Sequence, residues 1–287
     1  MIKLFLALAF SFIPALFWFF FYFKRRFIPL QYIFFTFLKG IALSLIAYYI
    51  QISLISSFFP DFWNFFFRFS EPFSLEDIFL LFLFNFTFIA LVEEILKFLT
   101  LKDCISNYKD VDQIVDGIQL GIVLGLGFAT GENLFKFSKI IEFLSSSFSL
   151  TASIFLLRFF FSTLAHIIYS SLMGYYLALA RFHKLYKTSL LKKAFFFPLL
   201  IHAFFNFFIL SGSFYLSIVL LSFSVFIFWK WYSDRKIFEK NLQTKKLPLS
   251  RPFLSKKEEL DVYFSKEKIP FEFIKRSGFL PKGKKQN

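Results

Sequence analysis

The chain has one cysteine, Cys104, and only three histidines among 287 residues. A lone thiol excludes an internal disulfide and any zinc or iron–sulfur site built on several cysteines. No Walker loop, no HExxH pair and no repeat of 20–50 residues occurs, which argues against P-loop nucleotide chemistry, a helix-borne zincin site and a solenoid. No inverted duplication of the kind found in secondary transporters is discernible either. Ser170 and Ser171 lie in an apolar run, and no Ser–His or Cys–His pairing with a third orienting group is evident, so a nucleophilic side chain is not the expected chemistry. Charge is also sparse, at 18% of residues.

Hydrocarbon takes its place. Hydrophobic residues make up 57% of the chain, mean hydropathy is +0.63, and 53 residues are phenylalanine. Those values lie outside the usual range of soluble domains and predict a membrane protein. The phenylalanine excess reads as a compositional bias without functional content. Apolar runs long enough to cross a bilayer of roughly 30 Å stand at about 2–23, 31–55, 75–101, 113–135, 150–182, 194–211 and 213–232. The expected fold class is therefore all-α, a polytopic helix bundle with about seven transmembrane helices. The fifth run is too long for one upright helix and is read as one long helix that tilts or extends past the membrane. Residues 1–23 are read as a retained helix rather than a signal peptide, because Lys24, Arg25 and Arg26 follow directly and no small-x-small cleavage site precedes them.

Basic residues accumulate in alternate loops: Lys24, Arg25 and Arg26; Lys102 and Lys109; then Arg181, Lys184, Lys187, Lys192 and Lys193. The intervening loops hold Arg68 in one and Lys136 and Lys139 in another. The positive-inside rule then puts the N-terminus outside and the C-terminus in the cytoplasm of a multi-pass protein. Domains are expected at 1–233, the helix bundle with a functional core at about 85–210, and at 234–287, a basic cytoplasmic tail. That tail holds 15 Lys/Arg against 7 Asp/Glu, more than half of the chain's net charge of +14. It reads as a solvated extension, with contact to anionic lipid through Phe253, Tyr263, Phe264, Phe271 and Phe273 as the alternative. No nucleic-acid module is recognisable in it, so no nucleic-acid partner is expected.

Against this background each ionisable group inside an apolar run is informative, since a charge at a helix centre costs roughly 2.5–3.5 kcal/mol on the insertion scale and needs a partner. The candidates are Lys39, Glu93, Glu94, Lys97, Asp116, Glu132, Arg158, His166 and His202, with the amides Asn133 and Asn206. His183 lies in a basic loop and is set aside. In "ALVEEILKF" the spacing lets Lys97 reach either Glu93 or Glu94 on a helix. One carboxylate would suffice for a structural pair. The second, adjacent and of like charge, suits proton exchange. The competing reading is an interfacial pair snorkelling to the surface, because the third run ends near residue 101. "IHAFFNF" sets His202 and Asn206 four apart, and His166 lies mid-run on another helix. Gly117, Gly121, Gly125, Gly127 and Gly131 form a small-residue pattern expected to serve close helix packing. Helix rise places Glu132 and Asn133 toward the outer face and Glu93 toward the inner, so a shared site requires a kink, a tilt or a shifted boundary.

Taken together, these motifs resemble the PrsW family of intramembrane proteases, relatives of the CAAX-processing and bacteriocin-processing membrane endopeptidases. The resemblance spans about 85–210. An EExxK motif matches Glu93, Glu94 and Lys97. A glycine-rich motif ending in GFxxxEN matches Gly127, Phe128, Glu132 and Asn133. An Arg-containing helix with a central histidine matches Arg158 and His166, and a closing HxxxN matches His202 and Asn206. The CAAX-processing relatives have FxxxH where this chain has Phe128 to Glu132. Residues 1–84 and the tail match no motif.

The residue types suit peptide hydrolysis by a carboxylate-activated water. Glu93 or Glu94 would be the general base, and the family pattern favours Glu93. The other carboxylate and Lys97 would orient it. His166 and His202 would hold the water or the developing oxyanion, with Asn206 completing the oxyanion site. Glu132, Asn133 and Arg158 would support this set. No cofactor is expected; zinc held by Glu93, His166 and His202 is the alternative, since two histidines and a glutamate are a known ligand set. The resemblance implies a bacterial cytoplasmic membrane as the location and single-span membrane proteins as substrates, such as a membrane-anchored anti-sigma factor. Rival classes are a proton- or ion-coupled transporter and a non-catalytic scaffold.

Overall fold

The structure is a computed structural model, and it describes residues 2–22, 28–60, 74–140, 148–182 and 186–244. Lys24, Arg25, Arg26, Arg68, His183, Lys184 and the aromatic residues of the tail lie outside them. The described residues form helices and no strand. In chain order these are α1 (Ile2–Tyr22), α2 (Leu30–Phe58), α3 (Leu75–Asn107), α4 (Ile114–Ile140), α5 (148–182), α6 (Lys187–Leu210) and α7 (Phe214–Thr244). Five of them are long and apolar enough to cross a membrane, and α1 and α7 contain shorter apolar helices, Phe5–Phe20 and Phe214–Lys230. The chain is thus an all-α, polytopic membrane bundle. The fifth run is one continuous helix, interrupted only by a π-turn.

Helix limits follow from local chemistry. At the start of α3, the Ser74 hydroxyl accepts the Asp77 N–H at 3.1 Å while the Asp77 carboxylate accepts the Ser74 N–H at 3.1 Å, a reciprocal capping box. Asp116 does similar work for α4, accepting the N–H groups of Asp112 and Gln113 at 3.1 and 2.8 Å. This carboxylate is thereby consumed at a helix start. The turn between α6 and α7 uses Gly212 at φ 72, a left-handed conformation suited to glycine. The division by compactness gives one unit of Met1–Lys236 and a second of Ile237–Asn287, of which only the last turns of α7 are described.

The core is α4. Its apolar window is entirely buried, enclosed by α5, α2 and α1. Its glycines explain how. A Cβ at Gly117 would stand 2.5 Å from that of Ala178, and one at Gly121 or Gly125 would collide with the Ser170 or His166 carbonyl of α5. Gly127 and Gly131 face the other way, against Phe37 and Ser44 of α2, and Gly40 of α2 returns the contact toward Leu124 and Phe128. One helix therefore meets two backbones on opposite sides, which side chains would prevent.

Both α3 and α5 contain a π-turn, Asn85–Ala90 and Arg158–Ser162. The extra residue rotates all that follows by about 100°, and such turns recur at functional sites. Each is pinned by side chains. The Asn85 amide donates to the Ala203 carbonyl at 2.7 Å, Trp18 donates to the Phe159 carbonyl at 3.2 Å, and the Thr163 hydroxyl donates to the Arg158 carbonyl at 2.9 Å.

Replacing Gly121 by alanine is expected to cost about 1–3 kcal/mol, as overpacking against backbone does. Gly212→Ala, with open space around its Cβ, should cost about 1–2 kcal/mol from its positive φ alone. Thermal unfolding of each variant in detergent checks both costs.

Candidate functional site: a buried polar chain across four helices

The extension of α3 settles the depth of its glutamates. The helix does not stop near residue 101 but continues through "LKDCISN" to Asn107, so Glu93 lies fourteen residues before its end. Glu132 lies eighteen residues after the start of α4, His166 sixteen before the end of α5, and His202 fifteen after the start of α6. At 1.5 Å per residue all four stand about 21–27 Å from the ends joined by the 107–114 and 182–187 connections. The shifted boundary brings them level. Lys97 has no exposed side-chain surface, so the snorkelling alternative fails.

The groups that sequence spacing singled out on four helices join in one chain. Lys97 Nζ donates to Glu94 Oε1 at 2.8 Å and to His166 Nδ1 at 3.1 Å, and lies 3.6 Å from Glu93 Oε2. An ammonium has only donors, so His166 Nδ1 is an acceptor and its proton is on Nε2, which donates to Glu132 Oε2 at 2.9 Å. Arg158 Nη2 stands 2.9 Å from the same Glu132 oxygen. The Arg158 Nε donates to Asn133 Oδ1 at 2.6 Å, and Asn133 donates to the Thr163 hydroxyl at 3.4 Å. In the other direction, His202 Nδ1 donates to Glu94 Oε1 at 2.8 Å, and Asn206 Nδ2 donates to His202 Nε2 at 3.0 Å. The polar path therefore runs from Arg158 to Asn206.

The two adjacent glutamates differ. Glu94 is fully buried; its Oε1 serves both Lys97 and His202, and its Oε2 has no hydrogen-bond partner among the described residues. Glu93 is anchored through Oε1 by the Gln51 amide at 3.1 Å. Its Oε2 has no hydrogen-bond partner among the described residues and lies 3.9 Å from His202 Nε2. Aromatic rings close the site. The Lys97 ammonium is 4.1 Å from the centroid of the Phe128 ring, a cation–π contact, and Tyr169 stacks on His202 with centroids 5.2 Å apart and planes 24° apart.

Two of the ionisable candidates lie elsewhere. Lys39 is partly exposed and pairs with Asp103 at 3.4 Å, and Asp116 caps α4. Cys104 is a buried residue of α3 within 3.5 Å of Lys39 Nζ. Sequence reasoning passed over Gln51 and Tyr169. An amide within the apolar α2 run signals the first, whereas an aromatic residue among 12 tyrosines and 53 phenylalanines gives no such signal. Pro198 also went unremarked: lacking an N–H, it removes one helical hydrogen bond a turn before His202.

Zinc does not fit this arrangement. The donors proposed for it, Glu93, His166 and His202, lie near one another but are turned to other partners: the nitrogens of His166 face Lys97 and Glu132, and those of His202 face Glu94 and Asn206. A cation already stands among them, the Lys97 ammonium. Removing that cation would leave two buried carboxylates uncompensated, so Lys97→Met is expected to cost about 3–5 kcal/mol of stability. Glu94→Gln in the same chain should recover part of the loss. Thermal unfolding and the folded fraction recovered on size exclusion report both.

Comparison with known proteins places this chain in a family. The profile described as PrsW family intramembrane metalloprotease matches residues 28–231. Protease PrsW of Oceanobacillus iheyensis is 33% identical over 159 residues, 55% of this chain and 67% of the relative. Protease PrsW of Clostridioides difficile is 32% identical over 173 residues, 56% of this chain and 70% of the relative. No solved structure matches. The match begins well before residue 85 and takes in α2, which carries no sequence motif yet supplies Gly40 and Gln51 to the bundle. Shared with bacterial relatives over most of its helices, this multi-pass integral membrane chain belongs to the PrsW family of intramembrane peptidases.

Proposed function

We propose that the chain hydrolyses peptide bonds of membrane-anchored proteins with a water activated by Glu93. The observation that carries this reading is the difference in access within the glutamate pair: Glu94 has no exposed side-chain surface and its Oε1 is held by both Lys97 and His202, whereas Glu93 keeps some exposure and its Oε2, 3.6 Å from Lys97, has no hydrogen-bond partner among the described residues. A water within hydrogen-bond reach of that oxygen would also lie close to Lys97 and His202. Glu93 takes one of its protons as the water oxygen attacks the scissile carbonyl carbon. The carbonyl becomes an oxyanion, and the donor left for it is the second N–H of Asn206, the first being held by His202. Collapse then breaks the C–N bond, and the proton on Glu93 passes to the leaving amine. Glu94 and Lys97 position the base.

The histidines have a different part from the one their residue type suggested. His166 links Lys97 to the Glu132–Arg158 pair, and His202 links Glu94 to Asn206. Both orient their neighbours, and neither has an N–H left for the oxyanion. The substrate class is a single-span membrane protein, such as a membrane-anchored anti-sigma factor, locally unwound so that a backbone carbonyl can leave its helical hydrogen bond. The basic residues of the connections support a cytoplasmic C-terminus and a basic cytoplasmic tail from residue 234.

The test is proteolysis by purified protein in liposomes, with candidate single-span substrates. Glu93→Gln should fold normally and cut at least about 10²-fold more slowly. Glu94→Gln should lower the folded yield as well as the rate. Wild-type cleavage by a folded Glu93→Gln variant would refute the assignment.

A further inference from the structure

We propose that Gln51 is a positioning residue of the active site, contributed by α2 from outside the four motif helices. It rests on the reading of Glu93 as the base. Apart from Gln31 in the first turn, Gln51 is the only amide of α2. An amide placed in an apolar membrane run is costly unless its donors and acceptor find partners.

Its partners are specific. Both N–H groups are directed at one turn of α3: Nε2 lies 3.1 Å from Glu93 Oε1 and 3.4 Å from the Ile89 carbonyl. Ile89 belongs to the π-turn Asn85–Ala90 and precedes Glu93 by four residues. One side chain thus ties down the base and the irregular backbone that aims it.

The competition for Glu93 gives this clamp its function. Lys97 holds Glu94 at 2.8 Å but Glu93 only at 3.6 Å. A carboxylate free to turn about its last torsion would close on the nearby ammonium to a full hydrogen bond, as Glu94 Oε1 has done at 2.8 Å. By holding Oε1, the Gln51 amide limits that rotation and leaves Oε2 between Lys97 at 3.6 Å and His202 Nε2 at 3.9 Å, without a hydrogen bond to either. Gln51 touches neither water nor substrate in this account and acts through Glu93.

The experiment compares full-length wild type, Gln51→Met, Gln51→Asn and Glu93→Gln in liposomes on a single-span substrate that wild type cuts, with kcat, KM and unfolding temperature measured for each. Methionine keeps the length and removes the donors. Asparagine keeps the amide but is one methylene too short. Losing a hydrogen bond to a charged group should lower kcat by about 10- to 100-fold in both, with KM changed less than about twofold and the unfolding temperature unchanged. If either Gln51 variant alone folds, its kcat decides. A lowered unfolding temperature with wild-type kcat per folded molecule would overturn the proposal and leave Gln51 a packing residue. An inactive Glu93→Gln beside fully active Gln51 variants would overturn it while sparing the base assignment. A fully active Glu93→Gln would overturn both.

Discussion

A lysine ammonium with no solvent exposure, halfway along an apolar bundle, is the constraint around which the rest is arranged. Desolvating such a charge costs several kcal/mol, which only close and well-oriented partners offset. Lys97 obtains them from Glu94, Glu93, His166 and the face of Phe128. Those groups come from α3, α4 and α5, so satisfying one cation fixes how three helices meet. Glu94 and His202 add α6 on the same terms.

The helix geometry exists to permit this meeting. Glycines let α4 lie against α2 on one side and α5 on the other, close enough for Glu132 to reach His166. The π-turns in α3 and α5 precede the glutamates and His166 and set the direction in which these side chains leave their helices. Trp18, Thr163 and Gln51 hold carbonyls of those turns, and Asn85 ties the first turn to the Ala203 carbonyl of α6. Irregular backbone inside a membrane is tolerated where protein groups satisfy it, and here that irregularity carries the functional side chains.

Much of this was legible in the residues alone. Apolar runs of membrane length announced the bundle, and the rarity of charge made Glu93, Glu94, Lys97, Glu132, Arg158, His166 and His202 conspicuous. Four motifs in order named the family. Three things were not legible. Hydropathy ended α3 at residue 101, because "LKDCISN" is polar although it is still helical, and that error produced the apparent mismatch in depth. The π-turns leave no mark in an apolar sequence, where every register looks alike. Hydrogen-bond direction was also hidden: spacing offered the histidines as free donors, but Lys97 and Asn206 fix them as links.

In the proposed reaction a cation supplied by Lys97, rather than a bound metal, organises the carboxylates that would activate water. The most direct test of this is to measure zinc content and cleavage rate on the same preparations of purified protein, as zinc is removed and returned. The account predicts an undiminished rate at zinc far below one ion per chain. A rate that rises in proportion to bound zinc and saturates at one ion per chain would contradict it.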